Sequence, residues 1–274
     1  MKTGDAHPSK EEPGSEFLDA LKNGVLLGVA ILAVVVPVMR YNRAPAPVAP
    51  PPAPVAQQPP APATPAPTAV PARRLADFGT ETPSPEALHV ANWAVFTGDN
   101  GKNVIVMLDK KAARAYVFEP SGKLMASTPI LLGASIRDEN PAGIGDKPLE
   151  AVKPDEKVTA AGRYIAEPGI NATGEDVIWI DYNAALSMHR VRPLVKEERR
   201  RERLASPTID DNRISFGCVN FPVAFYEGVL SPTVKTKGAV IYVLPEARTP
   251  QQVFGSFDVI QAPATVAQAA GQQR

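Results

Sequence analysis

The stretch Val104-Ile105-Val106-Met107-Leu108, followed by Ala115-Tyr116-Val117-Phe118, decides the fold class of this chain. Both runs are rich in β-branched, aromatic and other apolar residues, which favours strands. Pro120-Ser121-Gly122-Lys123 supplies a hairpin-type turn before a third apolar run over residues 124–132. Three more runs of this kind are predicted strands: residues 163–166, 177–182 and 239–244. The sequence therefore predicts a mainly β domain with a few helices.

One helix is predicted before these strands. Ser84-Pro85-Glu86 offers an N-cap serine, a proline at the first helical position and an acid near the positive end of the helix dipole. Apolar residues then recur at helical spacing, and Gly98 is placed to end the helix. The folded domain is predicted to span residues 75–250, with its core in 102–245. Residues 251–274 become rich in Ala, Gln and Gly and are predicted to be a flexible tail.

The N-terminal quarter has a different composition. Residues 24–39 carry no charge and are bounded by Lys22 and Arg40, which predicts a single transmembrane signal anchor. A cleaved signal peptide is the alternative, although its n-region would be long and acidic, and Pro47 follows the nearest small-residue cleavage site. With the anchor retained, residues 1–23 are a cytoplasmic segment.

Residues 40–74 form a linker rich in proline and alanine. Twelve prolines lie within 44–72, and each fixes φ and removes an amide donor, so neither helix nor sheet is expected there. If residues 44–72 form an extended polyproline-type spacer, these 29 residues reach at most roughly 90 Å. An anchor on such a stalk suits a target away from the membrane, such as the cell wall, although an ordinary disordered linker has the same composition.

Charge and aromatic content exclude one class of partner. The chain has 29 basic and 29 acidic side chains, so it has no net positive field to attract nucleic acid. Aromatic residues make up only 6% of the chain, which is poor material for stacking bases. We therefore expect no nucleic-acid partner.

Cys218 is the only cysteine in the sequence, so it forms no intramolecular disulfide and no multi-cysteine metal site. It is either a buried packing residue or a nucleophile. A nucleophilic thiol needs a base, and the histidines are His7, His89 and His189. Gly217 allows a tight backbone, so that the amides of Gly217 and Cys218 can face an oxyanion.

The surroundings of these residues resemble the L,D-transpeptidase catalytic domain, a family of cysteine enzymes that act on peptidoglycan stem peptides. That family has a His followed by Ser/Thr-His-Gly-Cys-hydrophobic-Asn; this chain has Met188-His189-Arg190 and Ser215-Phe216-Gly217-Cys218-Val219-Asn220. Residues 104–109, 115–118, 122–124 and 129–133 are similar to the family's opening strands. Residues 159–164 stand at its Thr-Pro-x-Gly-x-Phe turn, and residues 237–241 match its closing strand. The resemblance covers roughly residues 102–245 and implies a β-sandwich.

Two features depart from the family pattern. Phe216 replaces the histidine before Gly-Cys, which bears on pocket polarity and rate, whereas the upstream histidine of the proposed pair is kept as His189. The gap from His189 to Ser215 is 25 residues rather than the mid-teens. The additional residues include the charged run Lys196–Arg203, which is either a solvated helix with opposite-charge pairs or a lid over the site.

The resemblance implies a reaction. His189, oriented by a backbone carbonyl just after it, activates Cys218, which attacks the carbonyl of the third stem residue and expels the terminal D-alanine. An amine of a second stem then gives a 3→3 cross-link; water gives an L,D-carboxypeptidase, and a protein lysine gives attachment to the wall. No metal or cofactor is expected.

The remaining site residues are expected to support this pair. Ser215 and Asn220 are expected to brace the loop, and Arg190 and Arg213 are candidates for binding a carboxylate, with solvation at the surface as the alternative. The expected location is the inner membrane, through residues 24–39, with the C-terminal domain in the periplasm. Two alternatives stay open: a peptidoglycan-binding module without turnover, supported by Phe216, and an envelope tether of the same fold.

Overall fold

The structure is a computed structural model that describes residues 74–261. The predicted cytoplasmic segment 1–23, the anchor 24–39, the linker up to residue 73 and residues 262–274 of the tail lie outside the described residues. Within the described part of the chain, none of the helices is both long and apolar enough to cross a membrane.

The described residues form mixed sheets with a few short helices. The strands are β1 Val104–Asp109, β2 Arg114–Phe118, β3 Leu124–Pro129, β4 Leu132–Gly133, β5 Gly162–Ile165, β6 Glu167–Ile170, β7 Asp176–Asp181, β8 Leu186–Arg190, β9 Arg213–Ser215, β10 Val219–Phe221 and β11 Ala239–Val243. The α-helices are α1 Pro85–Thr97, α2 Arg200–Ala205, α3 Val223–Phe225, α4 Ser231–Lys237 and α5 Pro250–Phe254. A π-helical segment, Tyr226–Leu230, joins α3 to α4, and short 3₁₀ turns lie at Ile144–Asp146, Leu149–Ala151, Pro154–Glu156, Lys196–Glu198 and Ile209–Asn212.

The strands form two larger sheets and a short pair. The first sheet has the order β3-β2-β1-β11-β5, in which β1 and β11 are parallel. The second has the order β10-β8-β7-β6, in which β10 and β8 are parallel. Strands β4 and β9 pair separately. All six predicted strand runs are strands in the structure, whereas β6, β8, β9 and β10 were not predicted.

The main hydrophobic core lies between the two larger sheets. The first sheet contributes residues such as Val106 and Ile241, and the second contributes residues such as Met188 and Phe221. These four side chains are fully buried. Two sheets that share one core form a β-sandwich, which is the predicted architecture.

Helix α1 covers the outer face of the first sheet. Its predicted caps are confirmed: Ser84 Oγ accepts a hydrogen bond from the Ala87 amide at 3.0 Å, and Gly98 ends the helix with φ of 70°. Trp93 of α1 packs edge-on against Tyr242 of β11 in a second buried cluster. The central strands β1, β2 and β11 of the first sheet are therefore buried on both faces.

The folded domain extends beyond residue 250, where the sequence predicted a flexible tail. Residues Pro250–Phe254 form α5, whose N-cap Thr249 is part of a capping box. Val259 is buried with the α1 cluster, and Phe254 and Phe257 pack against that cluster. The apolar residues at 254, 257 and 259 explain why this segment packs despite its polar composition.

Candidate active site

The candidate site residues lie on, or directly before, two adjacent parallel strands of the second sheet. In the register of β8 and β10, Met188 faces Val219 and His189 faces Asn220. Met188 and Val219 point into the main core, so the alternation of a strand places His189 and Asn220 on the opposite face. Cys218, directly before β10, belongs to that same face. The sheet thus brings the predicted thiol and imidazole to one surface.

His189 is held in one tautomer by the backbone. Its Nδ1 lies 2.8 Å from the Arg190 carbonyl oxygen, and because a carbonyl only accepts, Nδ1 carries the hydrogen. Nε2 therefore keeps the lone pair. The side chain is 8% exposed, and this burial lowers the pKa of His189 to about 4; the Arg190 carbonyl opposes the shift, and the charges of Arg192 and Arg200 add to it. The imidazole is neutral at pH 7 and can accept a proton.

Cys218 is partly exposed and has two hydrogen-bond partners. Its Sγ donates to the Ala185 carbonyl oxygen at 3.5 Å and accepts from Ser187 Oγ at 3.5 Å. Among the described residues, no hydrogen bond joins this thiol to His189. Proton transfer to His189 therefore requires the Cys218 side chain to leave the Ala185 carbonyl, for example by rotation about its Cα–Cβ bond.

The loop before Cys218 has a backbone that glycine alone can adopt comfortably. Gly217 has φ of 139°, and a Cβ on it would lie 2.6 Å from the Val158 carbonyl oxygen. The Gly217 amide donates to Ser215 Oγ at 3.1 Å, and its carbonyl accepts from Thr159 Oγ1 at 2.6 Å. The Gly217 amide, which the sequence predicted as an oxyanion donor, is thus engaged within its own loop in this structure. Ser215, which the sequence predicted to brace this loop, is therefore bonded within it.

Asn220 connects the cysteine loop to the charged run. Its Nδ2 donates to the Cys218 carbonyl at 3.1 Å, and its Oδ1 accepts from Arg200 at 2.7 Å. Arg200 belongs to α2, which also buries Leu204 against Leu131 and Val191. Arg200, in the charged run, and Leu204, directly after it, thus hold this segment against the candidate site. The segment is therefore not simply a helix surrounded by solvent.

Three of the predicted supporting residues have other surroundings. Arg190 points to the opposite face from His189 and pairs with Asp176 at 2.7 Å and Glu227 at 3.0 Å, so its guanidinium is engaged away from this site. Arg213 bonds the Lys110 carbonyl and Glu246, and is likewise unavailable there. Phe216 is 37% exposed, with the Lys157 ammonium 4.0 Å above its ring.

Sequence reasoning missed Ser187, Ala185 and Thr159. Ser187 precedes His189 by two residues, so strand alternation alone would have placed it beside the imidazole once β8 was recognised. Ala185 contributes only its carbonyl, and its left-handed φ of 52° has no signal in the sequence. Among the described residues, no cluster of three or more His, Cys, Asp or Glu side chains could hold a metal ion.

Burial of His189 gives a prediction for stability against pH. The unfolded imidazole takes a proton near pH 6.5, whereas the folded one does so only near pH 4. Between these values the unfolded state binds more protons, so stability falls as the pH falls from 6.5 to 4, by up to about 1.4 kcal/mol per pH unit. Urea unfolding at pH 7 and pH 4.5 should show a larger loss for wild type than for His189→Gln. Equal losses in the two proteins would contradict the buried neutral imidazole.

Comparison with known proteins gave likenesses to solved structures. No family model matches the sequence, and no curated protein matches it. An L,D-transpeptidase from Stackebrandtia nassauensis is 17% identical over 53% of this chain and 57% of its own, with a TM-score of 0.32. The catalytic domain of the Enterococcus faecium L,D-transpeptidase is 16% identical over 52% and 98%, with a TM-score of 0.30. The helical cell shape determining protein Pgp2 from Campylobacter jejuni is 15% identical over 62% and 53%, with a TM-score of 0.35. This chain spans between about half and three fifths of the first and third of these.

Proposed function

We propose that this chain is a peptidoglycan L,D-transpeptidase-like cysteine enzyme. The observation that carries the proposal is the placement of Cys218 and His189 on one face of adjacent parallel strands, with His189 Nδ1 bonded to the Arg190 carbonyl. A fixed, neutral imidazole beside a partly exposed thiol is the arrangement that nucleophilic cysteine catalysis needs. The likeness to L,D-transpeptidase structures supports a peptidoglycan substrate, and the proposed residue roles depend on the geometry described above.

The proposed reaction begins when Cys218 turns from the Ala185 carbonyl toward His189. His189 Nε2 takes the thiol proton as Sγ attacks the carbonyl carbon of the third residue of a tetrapeptide stem. The tetrahedral intermediate collapses to a thioester, and the bond to the terminal D-alanine breaks as its nitrogen takes the proton from His189. The Cys218 amide is the proposed donor to the oxyanion, since the Gly217 amide is engaged with Ser215.

The thioester is then resolved by an amine or by water. Attack by the amine of a second stem forms a 3→3 cross-link, with its proton returned through His189; attack by water makes the same protein an L,D-carboxypeptidase. Both reactions belong to the cell wall, which fits a proposed role in cell shape. We place the domain in the periplasm, held to the inner membrane by residues 24–39 and separated from it by the proline-rich linker.

A binding module is the second candidate, and one observation favours it. The Cys218 thiol is hydrogen-bonded to Ala185 and Ser187 rather than to His189, so the site is at rest in a conformation that does not transfer the proton. In that case the same surface would hold stem peptides without turning them over. An envelope tether of the same fold would also leave the substrate intact.

The experiment that separates these candidates incubates the full chain with disaccharide-tetrapeptide muropeptides and analyses the products by mass spectrometry. Free D-alanine together with a cross-linked dimer or a tripeptide product is the expected result and identifies the acceptor. Intact substrate together with saturable binding would contradict the enzyme proposal and support the binding module. Intact substrate without binding would contradict the assignment to stem peptides.

Arg200 gives a prediction about rate and pH together. Arg200→Met removes the hydrogen bond to Asn220, whose other bond holds the Cys218 carbonyl, and it removes a charge that lowers the pKa of His189. Turnover should fall by about tenfold, the cost of about one hydrogen bond, and the acid limb of the pH–rate profile should move to higher pH. Arg200→Lys, which keeps the positive charge, should leave the acid limb of the pH–rate profile where it is in wild type.

The matched control is the exposed neighbour Arg201, which follows Arg200 directly. Arg201→Met should leave both the rate and the pH profile unchanged. A profile that moves equally in the Arg200 and Arg201 variants would show a general effect of surface charge and would contradict the specific contact.

A further inference from the structure

A groove of about 650 Å³ adjoins the cysteine and takes no part in the proposed chemistry. It is lined by Gly145, Asp146, Ile170, Asn171, Ala172, Trp179, Tyr182, Asn183 and Ala185. Ala185 is the residue whose carbonyl accepts the hydrogen bond of the Cys218 thiol at 3.5 Å. One end of the groove therefore lies a single hydrogen bond from the nucleophile.

Two aromatic rings form the apolar part of the groove. Trp179 and Tyr182 pack edge to face, with ring centroids 5.1 Å apart and planes at 76°. Tyr182 is 68% exposed, which is unusual for a ring with no role in the core. Gly169 lies beside the indole, because a Cβ there would be 2.5 Å from Trp179 Nε1. The fold thus leaves room for the indole and presents an aromatic surface to solvent.

The polar part of the groove carries little charge. Asp146 and Asn183 are exposed, and within the described residues their side chains make no hydrogen bond or ion pair, so both are available to a ligand. Asp146 is the one charged side chain among the described lining residues, and no lysine or arginine lies with it. A stem peptide carries carboxylates that this groove would repel. A neutral ring with hydroxyl and acetamido groups would be accepted.

We propose that this groove binds an N-acetylhexosamine ring of the peptidoglycan glycan strand. The flat C–H face of the sugar would stack on Trp179 and Tyr182, and its polar groups would bond Asp146 and Asn183. This inference rests on the proposed function for its geometry: three stem residues, roughly 10 Å of extended chain, and the lactoyl link separate the sugar from the attacked carbonyl. A groove that ends beside the thiol meets that requirement.

Tryptophan fluorescence tests the sugar site directly. The chain has two tryptophans. Trp93 belongs to α1 and is buried between that helix and the first sheet. Full-length Trp93→Phe therefore leaves Trp179 as the only reporter. Titration with chitotriose, a trimer of N-acetylglucosamine, should give a saturable change in its emission, and adding Tyr182→Ala should weaken binding about three- to tenfold.

The control protein is Trp179→Phe, which keeps Trp93 and should show no emission change with chitotriose. No saturable response in folded Trp93→Phe, judged by circular dichroism, would overturn the proposal. A response of Trp179 emission to free tetrapeptide stem, with none to chitotriose, would also overturn it, in favour of a peptide site.

A second readout separates this inference from the proposed function. Wild type should turn over disaccharide-tetrapeptide with a higher kcat/KM than free tetrapeptide, and Tyr182→Ala should reduce that preference about three- to tenfold. Binding of chitotriose without turnover would keep the sugar site and remove the enzyme proposal. Turnover that is equal with and without the disaccharide, in the absence of chitotriose binding, would remove the sugar site and keep the enzyme.

Discussion

Cys218→Ala is expected to abolish turnover of tetrapeptide muropeptides, with a loss of at least about 10⁴-fold. The reason is chemical: no other cysteine exists in the chain, and the hydroxyl of the neighbouring Ser187 is a much weaker nucleophile than a thiol near neutral pH. D-Alanine release, followed over time by mass spectrometry, measures the effect. The side chain is partly exposed, so its truncation should leave the thermal unfolding midpoint close to that of wild type.

The control for this variant is binding of the same substrate. Cys218→Ala should bind tetrapeptide muropeptides about as tightly as wild type, because the thiol forms bonds to substrate only during the reaction. Unchanged D-alanine release by Cys218→Ala would show that a residue other than Cys218 is the nucleophile. Loss of binding together with activity would show that the substitution disturbs the loop rather than the chemistry.

Lys110→Met is expected to destabilise the domain by about 3–5 kcal/mol, the usual cost of removing one partner of a buried ion pair and leaving the other charge unpaired. Lys110 is fully buried, and its ammonium bonds Asp138 at 2.8 Å and the carbonyls of Arg137 and Thr159, each at 3.0 Å. Without it, the two carbonyls lose a donor and the Asp138 carboxylate loses its cation. Urea unfolding at pH 7 measures the difference.

The adjacent Lys111 provides the matched control. Its side chain is 45% exposed and pairs with Glu86 at 2.7 Å on the surface. Lys111→Met should therefore cost less than about 1 kcal/mol. Similar losses for the two lysines would contradict the special role of the buried network.

The Lys110 network also reaches the candidate active site. Thr159, whose carbonyl accepts from Lys110, donates through Oγ1 to the Gly217 carbonyl. The same Oγ1 accepts from the Gly133 amide at 2.9 Å. A buried threonine thus connects Lys110 to the loop that carries Cys218. Lys110→Met is therefore expected to lower activity as well as stability.

Local signals in the sequence predicted much of the fold. The strands β1, β2 and β11 are continuous apolar runs, and the turn at Pro120–Lys123 and the caps of α1 use residues with specific backbone preferences. Strand β8 was missed because Leu186 and Met188 alternate with Ser187 and His189 without a β-branched residue. Strand β10 has only three residues, too few for periodicity to be recognised.

The candidate site residues could be chosen from the sequence, whereas their surroundings could not be predicted. The single cysteine and the motif around it pointed to Cys218 and His189, because residue type alone restricts the candidates. The commitment of the Gly217 amide to Ser215, the docking of Arg200 and the burial of Lys110 depend on contacts between segments distant in sequence. Leu204, directly after the charged run, is the one residue of α2 that is buried, and a single apolar residue is too weak a signal to predict docking.

The most direct test of the central claim is to trap the covalent intermediate. Full-length protein is mixed with disaccharide-tetrapeptide, quenched with acid from milliseconds to minutes, and mapped by mass spectrometry. We predict a disaccharide-tripeptide joined to Cys218 as a thioester, with one D-alanine released per adduct, and no adduct in Cys218→Ala. An adduct on another residue, or D-alanine release with Cys218 unmodified at every quench time, would contradict the assignment of Cys218 as the nucleophile.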